Sequence, residues 1–213
     1  MGTDLGHEDE RPPHRVFVDR FEIGIFPVTR AEYEQFVDET AHEPPREWSH
    51  PAFSQSHLPV VGVSWLDATA YCKWRSQRDG RALRLPSEAE WELAAHGSRP
   101  SLYPWGDGVP AWIPNGGRGP LPAPWPVTLG EPNEFGLFGI ASNVHEWCAD
   151  WYDKDYYSRS AERNPLGPEQ GQRRAARGGA WRHAQTFCRV TLRSKLDPSF
   201  RYNDFGFRLA RSL

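Results

Sequence analysis

The stretch RLPSEAEWELAAHG, residues 84–97, carries the instructions for one short helix. Ser87 followed three residues later by Glu90 is a capping box behind Pro86, Ala89 and Leu93 fall on one side, and Gly97 supplies the stop. The same grammar occurs twice upstream. Thr29 stands three residues before Glu32, with Tyr33, Phe36 and Val37 at helical spacing, and Ser64 stands three before Asp67, with Trp65, Ala68 and Cys72 on a face that runs to Gly80. On either side of these helices the period changes to two. Residues 14–28 place Val16, Val18, Phe21, Ile23 and Ile25 in alternation, and residues 176–181, 187–193 and 205–209 read as strands separated by Asp/Pro/Asn turns. The order is α+β, with strands at both ends.

Composition agrees. The chain has 213 residues, 38% hydrophobic and 25% charged, with 19 Gly, 20 Pro and ten Trp, which suits one domain covering residues 1–213 whose loops are held by rigid rings. Residues 98–139 are dominated by Pro, Gly and Trp without a period, and an ordered loop pinned by tryptophan is expected there. The three cysteines, Cys72, Cys148 and Cys188, form no C-x-x-C and no disulfide framework. Of 25 Lys+Arg and 28 Asp+Glu, ten basic and two acidic residues lie in residues 171–213. Those arginines are dispersed among apolar residues, so they are expected to pair with acids of the first half rather than bind nucleic acid. No window approaches the about 18 apolar residues of a membrane span, and the start is acidic where a secretory signal is basic then apolar, so a cytoplasmic location without membrane contact is expected.

Five stretches in order carry a resemblance: PVTRAEYEQFV from Pro27, PVVGVSWLDATAYCKW from Pro59, RLPSEAEWELAAHG from Arg84, FGLFGIASNVHEWCADWY from Phe135, and RGGAW from Arg177 with GFRLAR from Gly206. Together they resemble the formylglycine-generating enzyme (sulfatase-modifying factor) family. The resemblance implies a C-type-lectin-like fold with small antiparallel sheets, flanking short helices and extensive irregular loops. It also implies a cleft beside the last strands, lined by Trp105, His145, Trp181, His183, Cys188 and Arg193.

The cysteine-oxidising members of that family bind copper(I) with two cysteines five residues apart after an RGG-Ser-aromatic strand. Here Ala180 replaces the serine, His183 the first cysteine, and Cys188 matches the second. The expectation is therefore a metal-dependent oxidoreductase relative, using copper or nonheme iron on a thiol or peptide, that is not a standard formylglycine generator. His183 and Cys188 are its candidate catalytic residues. His145, which stands where many relatives have Trp, is a candidate third ligand for copper or iron, since imidazole and thiolate both suit such ions. Trp105, Trp181, Arg193 and Tyr202 are candidate substrate contacts. The resemblance also assigns Asn143 and Glu146 to a calcium site.

The rival expectation is a non-catalytic module that binds a protein ligand, as in retroelement-diversified variable proteins. Its contact surface would comprise Trp181, His183, Phe187, Phe200, Tyr202, Asn203, Asp204 and Phe205.

Overall fold

The computed structural model describes residues 1–98 and 101–213. All three capping boxes form. Thr29, Ser64 and Ser87 each accept a hydrogen bond from the backbone N–H three residues on, and Glu32, Asp67 and Glu90 reach back to the cap. They open α1 (Arg30–Thr40), α2 (Trp65–Asp79) and α3 (Glu88–His96). Gly80 ends α2 at φ +63°, a left-handed conformation that glycine adopts without a Cβ clash. The buried side of α3 carries Trp91, Ala94 and Ala95, while Leu93, expected inside, is 41% exposed. Trp91 sets that rotation because its indole N–H must reach the buried Glu146 carboxylate, 2.7 Å away.

Two small sheets complete the frame. β1 (Phe21–Ile23) pairs antiparallel with β6 (Ala210–Ser212), Phe21 opposite Ser212. The larger sheet has the order β4-β3-β2-β5, formed by β2 (His145–Trp151), β3 (Arg174–Arg177), β4 (Arg193–Leu196) and β5 (Phe205–Gly206). β3 is antiparallel to both neighbours, but β2 and β5 run parallel, with His145 opposite Phe205, which corrects the expectation of purely antiparallel sheets. The expected strands at 176–181 and 187–193 are displaced to 174–177 and 193–196. Gly178, at φ +80°, turns the chain out of the ladder, and Gln185–Phe187 forms a 3-10 turn. Of residues 14–28 only Phe21–Ile23 form a strand, with Phe17 bridging to Arg163. Nothing in the alternation announced β2, because its first four residues are all buried and a strand covered on both faces has no apolar–polar period.

The helices close one face of the larger sheet. Tyr33, Phe36, Val63, Tyr71, Trp147 and Phe207 form the main core, with Tyr33 stacked on Tyr71 at 5.6 Å between centroids. The other face of α3 meets the tail through buried charge. Arg177 pairs with Glu88 and Glu92 and Arg193 with Glu88, while Arg84, just before the helix and partly exposed, pairs with Glu90. Further out, Arg189 pairs with Glu10 and Arg201 with Asp67. Most of the dispersed arginines of the tail thus find acids of the first half, Arg174 lying instead over the Trp65 and Trp151 rings. In the long loop, Tyr103 stacks on Trp105 at 5.4 Å and Trp105 meets Trp112 edge-on at 5.7 Å, so rings hold it as composition implied. Residues 99 and 100 of that loop lie outside the described residues. Among the described residues no helix is long and apolar enough to cross a membrane.

Candidate metal-binding cleft

The parallel pairing of β2 with β5 decides the site. It starts where the His145 N–H donates to the Asp204 carbonyl at 2.9 Å, which draws the turn before β5 against the start of β2. The His145 ring is buried and its Nδ1 lies 2.5 Å from the Gly178 carbonyl. A carbonyl only accepts, so Nδ1 carries the proton and the lone pair sits on Nε2. Gly178 is required at that position, since a Cβ there would lie 2.9 Å from the Ala141 Cα. Burial, and then the neighbouring His183, push the His145 pKa down to about 3, which keeps the ring neutral and competent as a ligand.

His183 reaches the same point from the turn that follows β3. Its backbone N–H donates to the Ala180 carbonyl at 2.8 Å, and Gly119 packs directly against its own carbonyl. The ring centroids of His183 and His145 are 5.0 Å apart, with Phe187 on the far side of His183 at 5.4 Å. Burial lowers the His183 pKa, opposed by Asp204, and its Nδ1 is buried without a hydrogen-bond partner among the described residues. Asp204 is 6% exposed and its pKa is raised by burial. Ligand atoms of His145, His183 and Asp204 all lie within 4.8 Å of one another.

Beside this group opens a cleft of about 630 Å³, whose wall includes His145, His183, Phe187, Tyr152, Arg193 and Lys195. A volume of that order accepts a small organic ligand or a few residues of peptide. Arg193 forms part of the wall with its guanidinium committed to Glu88, at 2.7 and 2.9 Å. Lys195 is more exposed than Arg193 and lies near Asp9 and the Tyr152 hydroxyl, and Lys154 also lines the wall.

The remaining sequence-predicted residues do not share this cavity. Cys188 is buried with Sγ so close to Gly179 that a Cβ there would lie 2.7 Å away, and burial alone pushes its thiol up to about 12. It lines a separate recess of about 20 Å³ with Trp181, Trp125 and one side of His183, and it is absent from the His145–His183–Asp204 group. The expected His145–His183–Cys188 trio is corrected on this point, because the sulfur is packed into the chain after Gly178. Trp181 is buried, its Nε1 donating to the Asn203 carbonyl at 3.2 Å. Trp105 lies in its own aromatic group, and Tyr202, 47% exposed, stands outside the cleft near Phe200 and Phe205. The single concavity expected for these residues is therefore divided, since Trp105 stacks on Tyr103 and cannot reach the histidines.

Asn143 and Glu146, the expected calcium residues, both have protein partners. The Asn143 amide is locked on both backbone polar groups of Trp125, and both oxygens of Glu146 are taken by Arg208 and Trp91. A copper(I) dithiolate does not fit either, with His183 at one position and a buried un-ionised thiol at the other. The residue that sequence reasoning placed elsewhere is Asp204, assigned there to a display surface. Its one signal was that it is among only two acids in residues 171–213.

An α+β domain with a C-type-lectin-like fold and a histidine-walled cleft beside its last strands is thus defined. The chain belongs to the sulfatase-modifying factor enzyme 1-like domain family, whose model matches residues 1–213. It is 32% identical over 273 residues to the formylglycine-generating enzyme of Streptomyces coelicolor, covering 99% of this chain and 85% of that one. It is 31% identical over 234 residues to the serine/threonine-protein kinase pkn1 of Chlamydia pneumoniae, of whose length it spans 36% while all of this chain is covered. Among solved structures, Treponema denticola variable protein 1 superposes with a TM-score of 0.82 at 28% identity, covering 94% of this chain and 87% of that one.

Proposed function

We propose that this domain is a metal-dependent oxidoreductase that acts on a thiol or peptide substrate in the cleft walled by His145 and His183. The observation that carries this reading is the convergence of two neutral imidazoles and one carboxylate at the edge of a substrate-sized cavity. Structural metal sites are closed by four protein ligands, whereas three leave a position for substrate, and two of the three residues here, His145 and His183, line the cleft. His183 occupies the sequence position of the first copper-binding cysteine of the cysteine-oxidising relatives, which ties the cleft to the same face of the fold. The substitution changes the donor from sulfur to nitrogen, so conversion of a Cys-x-Pro-x-Arg peptide to formylglycine is not the expected reaction.

The test is oxygen uptake. Protein freed of metal is reloaded with iron(II) or copper and given cysteine, glutathione or cysteinyl peptides, with dioxygen as oxidant and product mass followed. Metal-dependent uptake that disappears in His145→Ala supports the reading. Uptake no faster than free metal, for every thiol, overturns it.

A second reading, a ligand-binding module, is favoured by one observation. Phe200 and Tyr202 present exposed rings next to the site, 51% and 47% accessible, and the fold matches a variable protein closely.

A further inference from the structure

We infer that Asp204, with His145 and His183, forms a two-histidine, one-carboxylate tripod for a divalent first-row ion of the iron(II) type, and that Cys188 is no ligand; this rests on the metal-dependent reading above. Four observations converge on it.

The three donors come from separate parts of the chain, the start of β2, the turn after β3 and the turn before β5, yet lie within 4.8 Å. Helix or turn periodicity does not produce such a meeting, so tertiary structure has assembled it. The His145 ring is held from behind by the Gly178 carbonyl, the outer-shell bond that sets which nitrogen is free in metal-ligating histidines. On His183 a buried nitrogen lacks a partner, and on Asp204 a carboxylate is buried without forming a salt bridge among the described residues. Among the described residues most other buried carboxylates are neutralised at short range, Asp150, held by the Glu88 N–H, being the exception. Glu88, Glu92 and Glu146 each meet an arginine. Asp204 has only the more distant Arg182, whose guanidinium is hydrogen-bonded to Asn203. A buried carboxyl without a close counter-charge is costly to ionise, and a cation at the tripod removes that cost.

The donor set selects the ion. Two imidazoles and one carboxylate on one side of an ion, with further positions open, is the pattern of nonheme iron(II) sites, whereas copper(I) is selected by soft sulfur. Bonds from nitrogen and oxygen to such ions are about 2.0–2.2 Å, so neighbouring ligands sit about 3 Å apart and the group must tighten on binding. His145 is fixed in β2, while His183 and Asp204 lie in turns that can supply the movement. His145 and His183 both line the cleft, so the tripod borders it.

The experiment uses cobalt(II) as an optical stand-in for iron(II). Metal-free protein is titrated with cobalt(II) and, separately, with copper(I) against a competing chelator. The expected result is one equivalent of cobalt(II), an affinity loss of at least about a hundredfold in Asp204→Ala, and no change in Cys188→Ser. Equal binding by Asp204→Ala, or loss in Cys188→Ser, overturns the assignment. X-ray absorption on the unmodified cobalt protein needs no variant to fold. A shell of nitrogen and oxygen alone supports the tripod, and a sulfur at about 2.3 Å refutes it. If cobalt binds as described but no thiol is oxidised by the iron-loaded protein, the tripod stands and the oxidoreductase reading falls. If copper-loaded protein oxidises thiols and Cys188→Ser stops it, the reverse holds.

Discussion

Arg208 and Glu146 meet as a two-pronged ion pair with neither side chain exposed, Nε to Oε2 at 2.6 Å and Nη2 to Oε1 at 2.7 Å. The remaining guanidinium protons go to the carbonyls of Gly24, Ile25 and Phe138, so one arginine ties β2 to the edge of the small sheet and to the long loop. Removing one partner strands the other charge. Arg208→Met is expected to lower unfolding free energy by about 3–5 kcal/mol, and Arg208→Met with Glu146→Leu to recover part of it, read by denaturant titration. Since both carboxylate oxygens are taken, calcium is expected to leave the melting temperature unchanged, and chelator likewise. A chelator-sensitive melt would restore the calcium assignment of Asn143 and Glu146.

The three helix caps allow a local test. Ser87 Oγ accepts from the Glu90 N–H at 3.1 Å, and the Glu90 carboxylate, besides returning to the cap, holds Arg84 at 2.7 Å. Ser64 is equivalent, with Asp67 also held by Arg201. Ser64→Ala and Ser87→Ala should each cost about 1 kcal/mol, the ordinary price of a lost cap. A loss below about 0.3 kcal/mol in both would mean that the carboxylates alone hold these helix starts.

Those caps explain how much of the fold was legible. A capping box is a local signal four residues long, so the starts of α1, α2 and α3 were readable, and Gly80 and Gly97 marked the ends of α2 and α3. β2 was not, because burial of both its faces erases alternation, and with it went the parallel pairing to β5 that brings Asp204 to His145. His145 and His183 were identifiable as departures from the family pattern at known positions. The packing of Cys188 was not legible, since sequence position cannot show which way a sulfur points, and here it lies against Gly179, outside the cleft wall. Trp105 was placed in the cleft by the resemblance, and its stack on Tyr103 removed it.

Asp150, on the same strand as His145, gives a pH test remote from the ligands. Its carboxyl is buried, and burial together with the nearby Glu88 charge raises its pKa to about 8, against the help of the Glu88 N–H and of Arg193, with Arg84 and Arg174 further off. Glu88 goes the other way, because Arg193 and Arg177 outweigh its own burial. A carboxyl raised in the folded state above its unfolded value of about 4 binds its proton more tightly when folded. Its stabilising contribution is therefore complete below pH about 4 and declines as pH rises to about 8, then stays flat. Asp150→Asn keeps an acceptor for the Glu88 N–H and removes the titration. The melting temperature of the natural chain should fall between pH 6 and pH 9 by clearly more than that of Asp150→Asn. Parallel curves would show that Asp150 is ionised throughout.

The two functional readings make opposite demands on residues about one ring apart. Phe205 touches His145 at 4.8 Å on its inner side and approaches Tyr202 at 6.4 Å on its outer side, so cleft and surface share that ring as a wall. If the cleft carries the activity, His145→Ala and His183→Ala should each reduce metal-dependent thiol oxidation at least about a hundredfold, worth roughly 2.7 kcal/mol, while Phe200→Ala and Tyr202→Ala change it less than about threefold. If the surface carries it, the aromatic pair should behave as binding anchors, with losses of about 2 kcal/mol or more for a captured ligand, and the histidine variants should bind as the natural chain does. Lys195 adds a discriminator, since it lies in the cleft wall near Asp9 and Tyr152 and away from Tyr202. A substrate carboxylate seated in the cleft would make Lys195→Met raise KM with kcat little changed, and ligand capture at Phe200 and Tyr202 would not respond to it. Oxidation that survives both histidine variants yet fails in Tyr202→Ala would move the active centre out of the cleft altogether.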